Sequence, residues 1–268
     1  MTDKNLERRD FLKLGAAGLA VLAAGPALAN KAFNSIGTER ASESEEKSPH
    51  SWAMVIDQEK CVGCGHCIKA CKAYNDVSPD IQWTRLVEGK KLGDKQTFIP
   101  IPCMHCEDAP CTHVCLVGAT KARPDGIVMM DYDKCIGCRY CEVACPYGVR
   151  SFNWEAFEGE NPVVPAWGQP EVPRRPRGVA EKCSFCYQRI DRGLELGLTP
   201  GVDQAATPAC VVACPMKART FGDLNDPESE VSKILATRAS YRLREGLGTN
   251  PRVYYLPAHE ETSEELSA

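Results

Sequence analysis

The stretch Cys61-Val62-Gly63-Cys64-Gly65-His66-Cys67-Ile68-Lys69-Ala70-Cys71 holds four cysteines with the spacing C-x2-C-x2-C-x3-C. Three further groups of four follow it, so that all 16 cysteines of the 268-residue chain are grouped. The second group is Cys103, Cys106, Cys111 and Cys115. The third, with the spacing of the first, is Cys135, Cys138, Cys141 and Cys145. The fourth, with a long interruption before its closing C-x3-C, is Cys183, Cys186, Cys210 and Cys214.

The sequence around the groups is also repeated. The segment 56–64 resembles the segment 130–138, which lies 74 residues later. Groups two and four share Cys-x2-Cys, a proline near the third cysteine and a valine shortly before the fourth. The chain is therefore an internally duplicated metal-binding module.

The spacing of the first and third groups indicates a [4Fe–4S] cluster, which needs one thiolate at each of four iron corners. A loop with two residues between cysteines can wrap three corners, and Gly63, Gly65 and Gly137 suit backbone that passes close to a cluster with unusual dihedral angles. The fourth cysteine is expected to begin a helix. A zinc site would use pairs of C-x2-C, and cysteines so close in a tight loop seldom meet the geometry of a disulfide.

The N-terminus resembles a twin-arginine export signal. Arg8-Arg9 precedes Phe11-Leu12-Lys13, a weakly apolar run covers 14–24, and Ala27-Leu28-Ala29 has the small-x-small pattern of a cleavage site. An N-terminal membrane helix is the alternative, but 14–29 is shorter than the ~20 residues that span a bilayer. We therefore expect a mature chain that starts near Asn30 and is periplasmic, peripheral on the inner membrane.

Composition and motifs argue against other functions. The net charge of −4 and the lack of a basic stripe exclude nucleic acid as a partner. No nucleophile–base pair, phosphate loop or open metal site is recognisable, so no catalytic residue is assigned. No other apolar run of spanning length follows the signal, and a transmembrane helix is not expected after its removal.

The linker between groups two and three resembles the one that joins the two halves of a bacterial ferredoxin. It has a Val-Gly-Ala turn at 117–119 and an Asp-Gly hairpin at 125–126. In such ferredoxins the fourth cysteine of each group ligates the other cluster. The resemblance pairs group two with three and group one with four; the rival pairing is one with two and three with four. The four expected sites are site A (Cys61, Cys64, Cys67, Cys214), site B (Cys71, Cys183, Cys186, Cys210), site C (Cys103, Cys106, Cys111, Cys145) and site D (Cys115, Cys135, Cys138, Cys141).

The expected fold is α+β, with two interleaved ferredoxin-like modules, short antiparallel strands, helices and long loops. Its boundaries are a signal at 1–29, a linker at 30–51, an outer module at 52–102 and 153–257, an inner module at 103–152 and a mobile acidic tail at 258–268. Strands are predicted at 84–87 and 97–101, around a turn at 89–94, and at 253–256. A long surface loop is predicted at 153–177 and a helix from about 228 to 244, begun by Asp226 and Pro227.

Several residues beside the ligands are candidates for tuning cluster potentials. His66 and His105 lie inside cluster loops and can donate hydrogen bonds to sulfur, although the simpler interpretation is that they are spacers. Cations raise the potential of an anionic cluster, and the alternative is an ordinary solvated side chain. The cations next to ligands are Lys60, Lys69, Lys72, Lys134, Arg139 and Lys182.

The four groups in this order resemble the four-cluster electron-transfer subunits of complex iron–sulfur molybdoenzymes, over roughly 52–256. The resemblance implies four [4Fe–4S] clusters and an electron relay between an integral membrane quinone-interacting subunit and a second redox subunit. The export signal and the insertion between Cys186 and Cys210 are most similar to the O subunits of the sulfite-reduction-associated DsrMKJOP complex, which implies a multihaem cytochrome c nearby. The alternatives are a relay for a molybdopterin reductase of oxidised sulfur compounds and a structural metal-binding protein.

Overall fold

The computed structural model describes residues 48–258, which belong to one compact unit. The predicted signal at 1–29, the linker up to residue 47 and the tail from residue 259 lie outside the described residues. The described part contains all 16 cysteines. None of its helices has the length and apolar character needed to span a bilayer.

A three-stranded sheet joins the two ends of the described chain. Strand β1 (Trp52–Asp57) pairs antiparallel with β8 (Arg219–Asp223) and parallel with β9 (Val253–Leu256). Side chains alternate between the faces of a strand. Met54 and Ile56 therefore pack into the main core, while Ala53 and Val55 pack under a helix on the other face. The predicted strand at 253–256 is confirmed.

A smaller hairpin stands between groups two and three. Strands β4 (Thr120–Ala122) and β5 (Val128–Met130) pair antiparallel, with Thr120 opposite Met130. The turn is built on Asp125 and Gly126, as predicted, and the Asp125 carboxylate accepts a hydrogen bond from the Ile127 amide at 3.1 Å. Gly126 has a positive φ of 89°, which suits glycine in a tight turn.

A second hairpin follows group one. Strands β2 (Arg85–Leu92) and β3 (Lys95–Ile101) pair antiparallel, with a shift of register after Glu88. The predicted strands at 84–87 and 97–101 were too short, because the predicted turn from Gly89 mostly continues β2. The reversal is instead the two residues Gly93 and Asp94, and glycine there takes a φ of 59°.

The helices beside the cysteines are short. They are α1 (His66–Tyr74), α2 (Pro110–His113), α3 (Tyr140–Val143), α4 (Tyr187–Glu195) and α5 (Ala209–Val212). In groups two to four the third cysteine lies in the first turn of such a helix and the fourth follows its end. The expectation that the fourth cysteine begins a helix was therefore wrong.

The C-terminal helix is shorter than predicted. Helix α6 spans Glu230–Thr237, and its N-cap is Ser229, whose hydroxyl accepts a hydrogen bond from the Ser232 amide at 3.2 Å. The chain leaves the helix at Arg238, and Tyr241 then forms an isolated bridge with Tyr255 of β9. Backbone pairing with the sheet therefore replaces the last turns of the predicted helix.

The long connection between β6 (Ser151–Phe152) and β7 (Ala180–Glu181) has no helix or strand, as predicted. It is not wholly at the surface, however. Arg175 is buried and bonds to the Glu181 carboxylate at 2.7 Å, while Arg174 bonds to Asp76 at 2.8 Å. Strands β6 and β7 pair antiparallel, and this pairing joins the end of group three to the start of group four.

Candidate iron–sulfur sites

The same backbone position is left-handed in all four cysteine loops. The residue before the second cysteine has a φ of 70° at Gly63, 43° at His105, 72° at Gly137 and 55° at Phe185. The predicted unusual dihedral angles of Gly63, Gly65 and Gly137 are confirmed. Groups two and four keep this loop shape with His105 and Phe185 in place of glycine. They do so although a positive φ is unfavourable for residues with a side chain.

Two pairs of helices bring distant groups together. Helix α1 of group one packs against α5 of group four, and α2 of group two packs against α3 of group three. Each pair carries cysteines from both groups. The structure thus brings group one to group four and group two to group three.

Site A has its four cysteines around one cavity. Cys61, Cys64, Cys67 and Cys214 all line it, together with Gly63 and Gly65 of the same loop. Burial raises the pKa of the Cys61 thiol, and the nearby charges of Cys67 and Cys214 raise it further. Cys64 is exposed and its three partners are half-buried.

Site B is the most buried of the four sets. Burial raises the pKa of Cys71 well above its ordinary value, and the charges of Cys186, Cys183 and Cys210 act in the same direction. All four cysteines are buried. The Asn75 side-chain amide lies 3.8 Å from the Cys71 sulfur and 3.5 Å from the Cys186 sulfur, so it bridges groups one and four.

Site C joins groups two and three. Burial raises the pKa of Cys106 to about 12, with contributions from the charges of Cys103, Cys111 and Cys145. Of these four cysteines only Cys145 is half-buried, and the others are buried. The interactions therefore connect the three expected ligands of group two with the one expected from group three.

Site D is connected less completely. The Cys141 thiol interacts with Cys135 of its own loop, and also with Cys111 of site C. Cys115 follows helix α2, which packs against the helix that holds Cys141, and its sulfur accepts a hydrogen bond from the Ala119 amide at 3.1 Å. Cys138 is exposed, and Cys115 and Cys135 are half-buried.

Charge interactions between neighbouring sets place the four sites in a series. Cys67 of site A interacts with Cys71 and Cys210 of site B. Cys183 of site B interacts with Cys103 of site C, and Cys111 of site C with Cys141 of site D. These interactions link A with B, B with C and C with D; the cysteines of B and C are buried apart from the half-buried Cys145, while A and D each have an exposed cysteine.

The thiols need a metal to ionise. Burial raises the pKa of every cysteine of site B, and the value for Cys210 reaches about 12. At neutral pH these thiols would stay protonated, because the charged form is poorly solvated. Bound iron would hold them as thiolates and thereby couple cluster binding to folding.

The arrangement fits iron–sulfur clusters better than the alternatives. All 16 cysteines are free of disulfides. Within residues 48–258, no three Cys, His, Asp or Glu side chains lie close enough together to chelate a single ion. Four thiolates on one zinc ion would be about 3.8 Å apart, given Zn–S bonds of about 2.3 Å. Within the described residues no cysteine set has the close spacing that a single ion needs.

The two histidines differ from each other in burial and contacts, and so do the six flanking cations. His105 is fully buried and stacked on Phe185, with ring centroids 3.7 Å apart; its Nδ1 accepts a hydrogen bond from the Val128 amide. His66 instead packs against Trp167 and is half-buried. Among the cations only Lys182 is buried. Lys60 and Lys134 are largely exposed and lie beside Asp57 and Asp131.

Sequence reasoning missed three buried residues beside the sites. They are Asn75, Arg150 and Arg219. A repeated sequence motif could have revealed the two arginines, because each follows the fourth cysteine of its group by five residues in the pattern Cys-Pro-x3-Arg. Asn75 had no such signal, since it follows an ordinary helix and its contact with Cys186 spans 111 residues.

The sequence also matches known families and proteins. Residues 95–161 match the model of the 4Fe–4S dicluster domain, and residues 52–73 match a 4Fe–4S binding domain. A selenate reductase subunit of Mesobacillus selenatarsenatis is 38% identical, over 94% of this chain and 98% of its own length. The Hdr-like menaquinol oxidoreductase iron–sulfur subunit 1 of Archaeoglobus fulgidus is 38% identical, over 93% and 97%. The menaquinone reductase iron–sulfur cluster-binding subunit of Nitratidesulfovibrio vulgaris is 39% identical, over 78% and 89%.

The chain belongs to the family of iron–sulfur electron-transfer subunits of oxidoreductase complexes. Members of this family carry electrons and leave the chemistry of the substrate to another subunit. The expectation of a non-catalytic relay is thereby confirmed, and the structural metal-binding alternative is not supported.

Proposed function

We propose that the protein holds four [4Fe–4S] clusters in sites A to D and passes electrons along them between two protein partners. The observation that carries this proposal is the chain of interactions among the four cysteine sets, which link A with B, B with C and C with D. Buried clusters in the middle and partly exposed clusters at both ends form a path that electrons can enter at one end and leave at the other.

The nested pairing of the cysteines is supported by three observations. The charge interactions link Cys61 with Cys214, Cys71 with three cysteines of group four, and Cys106 with Cys145. The dicluster match at 95–161 contains groups two and three as one unit. The helix pairs α1–α5 and α2–α3 follow the same division.

Both ends of the series are suited to protein contacts. Exposed apolar side chains flank site A at Val62 and Met216 and flank site D at Leu116, Ile136 and Val143, the last 83% exposed. Clustered exposed apolar groups are typical of interaction surfaces. Docking there would bring a partner's redox centre close to Cys64 or Cys138, the exposed cysteines.

One partner in this proposal is an integral membrane quinone-interacting subunit. Relatives named as a menaquinol oxidoreductase subunit and a menaquinone reductase subunit support it. The twin-arginine pattern at Arg8-Arg9 supports export, so we place the protein in the periplasm, peripheral on the inner membrane. In that position a peripheral relay can exchange electrons with a membrane-embedded quinone site.

The other partner distinguishes two candidate complexes. Resemblance to the O subunits of the DsrMKJOP complex favours a multihaem cytochrome c and a role in sulfur metabolism. The match to a selenate reductase subunit over 98% of that protein's length favours a molybdopterin reductase as the second candidate. Both candidates give this chain the same relay role.

The test is an anaerobic purification of the protein from its native membrane, with iron, sulfide, haem and molybdenum counted. Four cubes predict about sixteen irons per chain and a broad brown absorbance. Co-purifying c-type haem without molybdenum would support the Dsr-type complex, and molybdenum would support the reductase. About eight irons, or zinc in place of iron, would contradict the proposal.

A further inference from the structure

Five basic side chains are buried in the described part of the molecule. They are Arg150, Arg175, Lys182, Arg189 and Arg219, each at most 7% exposed. Two of them have ordinary partners, since Arg175 bonds to Glu181 and Arg189 to Glu171, both at 2.7 Å. Within residues 48–258 the other three have no carboxylate within 4 Å. A buried cation without a counter-charge is strongly unfavourable, so each of the three requires an anion.

Arg219 lies between sites A and B. One of its guanidinium nitrogens is 3.8 Å from the Cys210 sulfur of site B and 3.5 Å from the Met54 sulfur. Its charge also acts on Cys61 and Cys67 of site A. The second terminal nitrogen is buried and has no hydrogen-bond partner among the described residues.

Lys182 lies between sites B and C. It immediately precedes Cys183 of site B, and its ammonium group donates to the carbonyl of Cys183 at 2.9 Å and to the carbonyl of Val128. Its charge acts on Cys111 of site C. The stacked rings of His105 and Phe185, one from each of the two sites, lie on the same boundary.

Arg150 lies between sites C and D. Its guanidinium bonds to the Thr120 hydroxyl at 2.6 Å and contacts the Met130 sulfur at 3.1 Å. The charge of the same group acts on Cys111 in site C and on Cys141 in site D and lowers the pKa of both thiols. Each neighbouring pair of sites in the series thus has one buried cation beside it that lacks a carboxylate partner among the described residues.

The duplication of the chain supports a common role for the arginines. Arg150 and Arg219 occupy equivalent places, five residues after Cys145 and Cys214, and a proline follows both cysteines. Thr120 and Asp76 stand at the equivalent positions of groups two and one. Each module therefore has one such arginine, and it lies between the module's own two sites.

We propose that Arg219, Lys182 and Arg150 are the counter-ions of the electron path, each shared by two consecutive clusters. The inference rests on the four clusters proposed above. An oxidised cube with four thiolates carries a charge of about −2, and reduction adds one more negative charge. A cation at the boundary favours the reduced state of both neighbours. The three cations thus raise the potentials of the clusters and keep neighbouring clusters from repelling the transferred electron.

The experiment compares the full chain, prepared anaerobically with its clusters, with Arg219→Met, Lys182→Met and Arg150→Met. Iron and sulfide are counted first, and the midpoints of the four clusters are then measured by redox titration followed by electron paramagnetic resonance. Each variant should shift the reduction equilibrium of two clusters toward the oxidised form by about tenfold, which is ~59 mV for a one-electron couple. The surface variant Lys233→Met should shift none.

The pattern of shifts identifies the order without assigning any signal. The two midpoints moved by Arg219→Met and the two moved by Arg150→Met should have no member in common. Lys182→Met should move one member of each pair. Equal shifts of all four midpoints, or no shift in variants with full iron, would overturn the proposal.

A structural role would give a different result from a charge role. If the methionine variants lose iron, Arg219→Lys and Arg150→Lys distinguish a charge role from a structural role, because they keep the charge and lose the guanidinium bonds. They should retain iron and change the reduction equilibrium of each cluster by no more than about threefold relative to the wild-type chain. Loss of clusters in these lysine variants would overturn the counter-ion role. About eight irons in the wild-type chain, or zinc in place of iron, would instead contradict the proposed function, before any variant is considered.

Discussion

The proposed outer and inner modules have the same strand pairing but different chain connections. In the inner module β4 and β5 are joined by a turn, and Thr120 lies opposite Met130. In the outer module the equivalent strands are β8 and β1, and Arg219 lies opposite Ile56 in the same register. These strands have no connecting turn, because the inner module and its flanking loops lie between them in the chain. The comparison teaches that packing and ligand positions preserve the module when local connectivity is lost.

The modules also differ in what they add to this shared unit. The outer module has a third strand, β9, and helix α6 on its sheet. It also has Asn75, four residues after Cys71, where the inner module has Val149 four residues after Cys145. Shared features include the amide-to-sulfur hydrogen bonds from Ala119 to Cys115 and from Ala218 to Cys214, at 3.1 and 3.2 Å.

The largest effect is expected from a substitution that removes the ligand shared between groups one and four in the outer module. Cys214→Ser should damage the cluster held by Cys61, Cys64 and Cys67, with a loss of up to about four of about sixteen irons. The matched inner variant Cys115→Ser should damage the cluster held by Cys135, Cys138 and Cys141. Iron counting and electron paramagnetic resonance measure both. Loss of a group-three cluster in Cys214→Ser would show that the nested pairing is wrong.

A series of glycine substitutions compares the two modules at the cysteine loops. Gly137, Gly63 and Gly65 have φ values of 72°, 70° and 74°, so alanine at any of them costs about 1–2 kcal/mol of backbone strain. A Cβ atom at Gly137 would meet the Gly178 carbonyl oxygen at 2.4 Å, and at Gly63 it would meet the Phe98 ring at 2.7 Å. At Gly65 nothing described lies within 4 Å.

We therefore expect the loss of unfolding free energy to follow the order Gly137→Ala, Gly63→Ala, Gly65→Ala. Gly137→Ala should cost about 3 kcal/mol or more, because backbone moves less easily than a side chain. Denaturant unfolding of the anaerobic protein measures the three values. Equal losses would show that the close approach of Gly178 to the inner loop has no energetic consequence.

The smallest effect tests Asn75, which the inner module lacks. Asn75→Val copies the inner residue Val149 and removes the amide beside the Cys71 and Cys186 sulfurs. One cluster midpoint should fall by about 20–60 mV, because a hydrogen bond to a charged acceptor stabilises the reduced state. Gln188→Leu keeps the Asn75 amide and removes only the donor to its oxygen, at 3.1 Å, so its effect on the midpoint should be smaller. No fall in Asn75→Val, or a larger fall in Gln188→Leu, would contradict the role of the amide.

Local chemistry made much of the site predictable. Ligand spacing indicated the cluster type, and the glycines indicated the left-handed loop positions. Gly93 and the Asp125-Gly126 turn marked hairpins that exist. The helix at 228–244 was predicted too long, because the pairing of Tyr241 with Tyr255 depends on a strand that no local pattern around residue 241 reveals.

The sequence by itself determined the grouping of the cysteines, the duplication and the kind of cofactor, because metal ligation depends on residue type and on short spacings along the chain. Only the tertiary structure decided that the four sets lie in one series, that His105 and Phe185 stack between sites B and C, and that three basic side chains of the described residues are buried without a carboxylate. The burial of a side chain and the charges around it depend on residues that are distant in sequence. A lysine beside a cysteine has the same sequence signal whether it is solvated, like Lys60, or buried, like Lys182.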